Sequence, residues 1–241
     1  MIGIERLANV FVDVADTLVT DFDVIEFLHT VATHATELTG ATAAGLMLSD
    51  LDGGLYYMGA SDESARLLEL FQIQHEQGPC LDCYRTGRPV TEADLAAARA
   101  RWPAFAEQAL AAGISSVHAF PMRLRDQVIG ALNIFGAEAL ALGADESKVV
   151  QSLADVATIA ILQERLIRQA EVLTEQLQFA LNSRIAIEQA KGAVSRSLDV
   201  SVEEAFDIMR RHARRHRIGL TDLAQTLVQN PEGPQLLDRE V

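Results

Sequence analysis

Over residues 5–38 the apolar positions recur at intervals of three and four, the spacing of amphipathic helices. The pattern predicts one helix over residues 5–18 and a second over residues 23–38, with Asp23 as its N-cap and Gly40 as its stop. Two short strand-like runs follow, Ala43–Ser49 and Leu55–Ala60. Asp52, Gly53 and Gly54 between them read as a hairpin turn, because glycine accepts the positive φ that such turns need. A helix opens at Ser61-Asp62-Glu63 and ends near His75, and residues 76–83 read as a loop. Residues 95–112 predict a helix interrupted at Trp102-Pro103, and two further strands lie at 116–124 and 128–135. Their imperfect alternation suits a half-buried sheet.

Beyond Asp145 the period changes. Neither proline nor glycine occurs from Asp145 to Lys191, which predicts one long helix. Along it Leu166, Ala170, Leu173, Leu177 and Ala180 step by 4, 3, 4 and 3, a heptad seam suited to a coiled coil with a second copy of the chain. The same pattern also fits an amphipathic helix packed on its own domain. After Gly192 two shorter helices follow. Ser201 and Glu204 form a capping box at the start of one, and Thr221 or the loop before it caps the other. Ile185, Ala205, Phe206, Met209, Ala213, Leu220, Leu223, Ala224 and Leu227 are the expected shared core. Pro231, Gly233 and Pro234 end the ordered part, leaving a flexible tail over residues 231–241.

Charge changes this picture by location more than by amount. The chain of 241 residues carries a formal charge of −14, which argues against indiscriminate binding of polyanions. Residues 1–160 hold 9 Lys and Arg against 22 Asp and Glu, whereas residues 161–241 hold 11 against 12. The acidic excess is thus confined to the first part. The second contains Arg210, Arg211, Arg214, Arg215 and Arg217 in one run. That run either marks a phosphate-docking surface or is a solvated helix end favoured by the helix dipole. No apolar run reaches membrane-spanning length and no secretory signal is visible, so a cytoplasmic location is expected.

The carboxy-terminal segments resemble the ANTAR family of transcription antitermination domains. The resemblance rests on Arg184-x-x-Ile187-Glu188-x-Ala190-Lys191-Gly192, on Glu204-Ala205-Phe206 and on Leu223-Ala224. Val194-Ser195-Arg196 departs from the Leu or Met pairs that often follow Lys-Gly in that family. The resemblance implies a three-helix bundle on a coiled-coil stem that binds paired RNA hairpins in nascent transcripts. Arg184, Lys191, Gly192, Arg196, Arg210 and Arg214 are the candidate RNA-binding residues, with arginine forks suited to phosphates and to stacking on unpaired bases. Glu188 is expected to fix Arg184 or Lys191 rather than touch RNA.

Residues 4–160 resemble the GAF sensor family through Gly78-Pro79-Cys80-Leu81-Asp82, Thr86-Gly87-Arg88-Pro89-Val90, Ala119-Phe120-Pro121-Met122 and Val128–Phe135. GAF domains precede ANTAR modules in actinobacterial proteins, so the two resemblances support each other. Together they imply an α+β fold: a GAF-like domain with an antiparallel sheet (1–160), a coiled-coil linker helix (161–183), and an ANTAR-like module (184–230). The expected activity is that of a homodimeric, signal-responsive, RNA-binding antitermination regulator. An unidentified small molecule in the GAF-like domain is its candidate effector, and no cofactor is assigned.

Cys80 and Cys83 form a C-x-x-C pair. Two thiols cannot complete a structural zinc site, and no metal is expected. They are either a redox pair or packed small residues. The redox reading gives the alternative function, an enzyme on the GAF scaffold resembling methionine-sulfoxide reductases. No Gly-x-Ser-x-Gly elbow, phosphate loop or His-Glu-x-x-His occurs, and no enzymatic activity is expected. His29, His34 and His118 read as packed or surface residues rather than haem ligands.

Overall fold

The computed structural model describes residues 4–16, 23–50, 54–230 and 232–237. Among them the chain divides into two compact units, residues 1–165 and 166–241.

In the first unit, α1 (Ile4–Asp16) and α2 (Val24–Thr39) precede β1 (Ala43–Ser49) and β2 (Leu55–Ala60). Next come α3 (Glu63–His75), α4 (Pro79–Thr86), β3 (Val90–Glu92), a 3-10 turn (Ala97–Ala100) and α5 (Pro103–Ala111). Then β4 (Ser116–Leu124) and β5 (Gln127–Gly136) lead into α6 (Ala144–Leu198). The expected end of the first helix, residues 17 and 18, and the turn residues Asp52 and Gly53 lie outside the described residues. Asp23 caps α2 as its position suggests, its side chain accepting from the backbone N–H of Ile25 at 2.7 Å and of Glu26 at 3.2 Å.

The strands form one antiparallel sheet in the order β2-β1-β5-β4-β3. Helices cover both of its faces. Leu46, Leu48, Phe120 and Leu132 pack with Phe27 and Val31 of α2 and with Leu153 and Ala157 of α6. Met47, Ala119, Ala131 and Phe135 pack on the other side with Leu68 of α3, Cys80 of α4 and Phe105 of α5. The centre of the expected half-buried sheet is therefore covered on both faces, and all seven residues of β1 are buried, while the edge strand β2 stays partly exposed. A strand covered on both faces needs no polar side, which is why its alternation is weak.

Two elements depart from the sequence reading. Residues expected as a loop form α4, because Gly78 enters with φ 145°, Pro79 occupies the first turn and Gly87 closes the helix in the left-handed region. The three residues of β3 are too few to carry a period-two signal.

In the second unit α6 runs on through Gly192 without a break, so the first helix of the carboxy-terminal module is the end of α6 itself. It is followed by α7 (Val202–His216), α8 (Leu220–Gln229) and α9 (Gly233–Leu236). The capping box at α7 forms as the sequence indicates: Ser201 Oγ accepts from the Glu204 backbone N–H and the Glu204 side chain accepts from the Ser201 backbone N–H. Gly219, not Thr221, is the N-cap of α8, and Thr221 instead meets Ser183 across 2.5 Å through their hydroxyls. Ala190, Val194, Ala205, Met209, Ala213, Leu223, Ala224 and Leu227 form the core. Leu237 is buried there too, so the segment expected as a loose tail is in part anchored by an apolar side chain.

Ile185 and Phe206 do not join this core as expected. Ile185 is 46% exposed; two residues along a helix is a turn of about 200°, so burying Ile187 points Ile185 outward. Phe206 is half-buried and stands beside the core.

Candidate nucleic-acid interface

Residues spaced by four on a helix form one ridge. On α6, Arg184, Glu188, Gly192 and Arg196 make such a ridge, and Lys191 lies beside it, seven residues after Arg184. Arg184 and Arg196 are exposed. The Lys191 side chain is 18% exposed, and its Nζ donates to both carboxylate oxygens of Glu188, at 2.9 and 3.0 Å. Of the two partners open to Glu188 in sequence, the structure selects Lys191.

On α7, Phe206, Arg210 and Arg214 form a second ridge, with both arginines exposed. Lys191 of α6 and Arg210 of α7 both reach the Phe206 ring. Lys191 Nζ lies 5.4 Å from the centroid of its ring and Arg210 Cζ 5.6 Å from it. Beyond this junction an open concavity of about 520 Å³ is lined by Val200, Glu204, Asp207, Ile208, Arg210, Arg211 and Arg214. Its carboxylates lie nearer the start of α7 and its arginines nearer the end, the order that the helix dipole favours. The dipole accounts for Arg214 and Arg215 in the last turn. It does not account for Lys191 and Arg210 converging on one ring from different helices. Gly192 has no neighbour within 4 Å of where a Cβ would stand, so packing within the chain does not require glycine there.

Phe206 is the member of this face that sequence reasoning assigned elsewhere. Its apolar character and its place next to Ala205 signal core, and only the distance to Lys191 reveals its surroundings.

From residue 166 to residue 182 every residue of α6 is exposed. Leu166 is 65% exposed, Leu173 55% and Leu177 62%, and Ala170 and Ala180 are exposed with them. Among the described residues none covers the heptad positions.

The first unit holds a polar cluster in its interior. Glu69 of α3 has no solvent exposure and accepts from Asn133 Nδ2 at 2.6 Å and from Gln72 Nε2 at 3.0 Å. Burial raises its carboxyl to a pKa of about 8, against which the Asn133 hydrogen bond acts only in part. Gln72 Oε1 in turn accepts from the Cys80 backbone N–H at 3.0 Å. Cys80 and Cys83 are unpaired and buried. Burial pushes the Cys80 thiol well up and the Cys83 thiol up to about 12. Neutral, enclosed thiols make poor nucleophiles, so this setting disfavours the redox use of the pair. His118 is also buried, with Nε2 2.7 Å from the Leu140 carbonyl oxygen, and burial lowers its pKa.

Residues 23–162 match the GAF domain model and residues 175–228 match the ANTAR domain model. The chain belongs to the GAF family, with an ANTAR domain after the GAF domain. The GAF fold also appears in solved structures of low identity. The GAF domain of a phosphoenolpyruvate-protein phosphotransferase from Acinetobacter is 10% identical, with TM-score 0.53 over 68% of this chain and 95% of that one. Its counterpart from Coxiella burnetii is 15% identical, with TM-score 0.53 over 68% and 98%. A free methionine-R-sulfoxide reductase from Neisseria meningitidis, solved with its substrate, is 15% identical, with TM-score 0.53 over 69% and 96%. These likenesses show the fold alone and do not favour the reductase alternative. No curated protein matches the chain. The GAF–ANTAR arrangement supports a regulator that joins a sensor domain to an RNA-binding antitermination domain. Among the described residues no helix is long and apolar enough to cross a membrane.

Proposed function

We propose that this GAF–ANTAR protein acts as a homodimer whose two ANTAR domains bind paired hairpins in nascent transcripts, under control of a small-molecule effector of the GAF domain. The observation that carries the RNA reading is the convergence of Lys191 of α6 and Arg210 of α7 on the Phe206 ring, with Arg184 and Arg196 exposed on α6 and Arg214 exposed on α7. Guanidinium forks and an ammonium suit phosphate oxygens, and the acidic excess of the chain lies in residues 1–160.

Support for the dimer comes from the bare heptad positions Leu166, Ala170, Leu173, Leu177 and Ala180. A second copy placed alongside removes that apolar surface from water, at roughly 25 cal/mol per Å². Two ANTAR domains on one stem hold two hairpins with the advantage of high effective concentration. Support for coupling comes from α6, which supplies Leu153 and Ala157 to the GAF core and Ala190 and Val194 to the ANTAR core. An effector that shifts α6 at one end thereby acts on the other. The chemistry is binding, and no catalytic step is assigned.

The test is to sequence the RNA that co-purifies with the full chain and to repeat it with the Arg184→Ala, Lys191→Ala double variant. The expected result is enrichment of transcripts with adjacent stem-loops, lost in the variant. Equal recovery of unstructured RNA by both proteins overturns the reading.

A further inference from the structure

Phe206 is the largest apolar side chain of α7, yet it lies outside the apolar core that Ala205, Met209 and Ala213 of the same helix build. Two cations lie over its ring, Lys191 of α6 and Arg210 of α7. A leucine would serve packing equally well at such a border. An aromatic ring adds a π-face, which attracts the two cations and offers a stacking surface. Two cations drawn to one ring repel each other, and an arriving anion relieves that repulsion. In the free chain Glu188 meets part of this need by holding Lys191.

We infer that Phe206 is a base-stacking residue of the ANTAR domain: it takes the face of one unpaired RNA nucleotide, while Lys191 and Arg210 hold the phosphates on either side of it. The ligand class follows from the pairing of an aromatic ring with anion-seeking groups, since a nucleotide carries both a flat base and a phosphate. The nucleotide is unpaired because, in a duplex, neighbouring bases cover each base face; loops and bulges leave it open. The open space at Gly192, next to Lys191, leaves room for the approaching backbone. The inference rests on the proposed RNA function and adds to it the residue that distinguishes a loop from a stem.

The experiment uses the full chain and a library of synthetic RNAs, each with two GC-rich stems closed by randomised loops, from which the protein selects its binders. A selected RNA is then prepared with 2-aminopurine at each loop position in turn. Wild-type protein is expected to change the fluorescence of 2-aminopurine at one loop position, as stacking on Phe206 alters its environment. Phe206→Leu loses that change and weakens binding by ~10-fold, within the range for losing one base–aromatic stack, while the salt dependence of binding stays the same. Phe206→Tyr keeps both the signal and the affinity, which separates stacking from a folding defect. Lys191→Ala and Arg210→Ala lower the salt dependence instead.

The inference is overturned if Phe206→Leu binds and signals as wild type does, or if Phe206→Tyr fails along with Phe206→Leu although both fold. If wild-type protein selects no stem-loop at all, the RNA reading itself fails and this inference falls with it.

Discussion

Asn133 Nδ2 donates to Glu69 Oε1 across 2.6 Å at the centre of the GAF domain, with both side chains sealed from water. Gly45, opposite Asn133 on the neighbouring strand, makes the pairing feasible, because a Cβ there would stand 2.5 Å from Glu69 Oε1. Among the described residues Asn133 Oδ1 has no hydrogen-bond partner. Burial favours the neutral acid of Glu69.

The stability of the GAF domain therefore depends on pH in a stated direction. The folded pKa of Glu69, about 8, lies above the ordinary carboxyl value, so the folded state retains a proton that the unfolded chain releases. Its contribution is fully present below about pH 4.5 and is lost as pH rises towards 8, on the order of a few kcal/mol. Glu69→Gln imitates the protonated acid and removes this dependence. Urea unfolding at pH 5.5 and pH 8.5 checks it: wild type loses more stability than Glu69→Gln between the two, and an equal loss refutes the assignment.

Gly192 sits inside α6 with open space where a Cβ would be. Replacing an interior helical glycine by alanine stabilises a helix by roughly 0.5–1 kcal/mol. Gly192→Ala is thus expected to raise the unfolding midpoint of the ANTAR domain and, if the RNA backbone approaches Gly192 as proposed, to weaken RNA binding several-fold. Thermal unfolding and a filter-binding titration on one preparation measure both effects.

Glu188 holds the ammonium of Lys191 in the free chain and so competes with phosphate for it. Glu188→Gln frees one cation. RNA affinity rises, and the slope of log affinity against log salt steepens by up to about 1. Fluorescence anisotropy at several salt concentrations reads both. An unchanged slope means that Lys191 does not meet phosphate.

Leu173 is 55% exposed in the middle of the bare heptad stripe. Leu173→Asp puts one charge per chain at the middle position of the proposed seam, and it is expected to shift the protein from dimer to monomer in analytical ultracentrifugation. Affinity for an RNA with two hairpins then falls towards that for an RNA with one, by ten-fold or more given the ~10²–10⁴-fold range of linked sites. Retention of both the dimer and the two-hairpin affinity removes the stem from the mechanism.

The order of elements was legible wherever local chemistry decides the matter. Asp23 and Ser201 carry their caps in their own side chains, and the stretch free of proline and glycine before Gly192 announces α6. The heptad positions were legible because a period is a property of the chain alone. Packing was not. Phe206 and Ile185 have the composition of core residues, but whether an apolar side chain faces inward depends on helix phase and on what lies across from it. α4 was hidden for a related reason, since Gly78 and Pro79 read as a turn until Gln72 and the sheet fill in around them. The amino-acid sequence by itself determined the GAF and ANTAR domains, the long helix and the charges near Lys191, because these follow from neighbours along the chain. Only the tertiary structure decided that Lys191 and Arg210 converge on Phe206, that Glu188 takes Lys191, and that Glu69 lies buried against Asn133. Each of these depends on distances between separate elements, which packing sets and no single segment encodes.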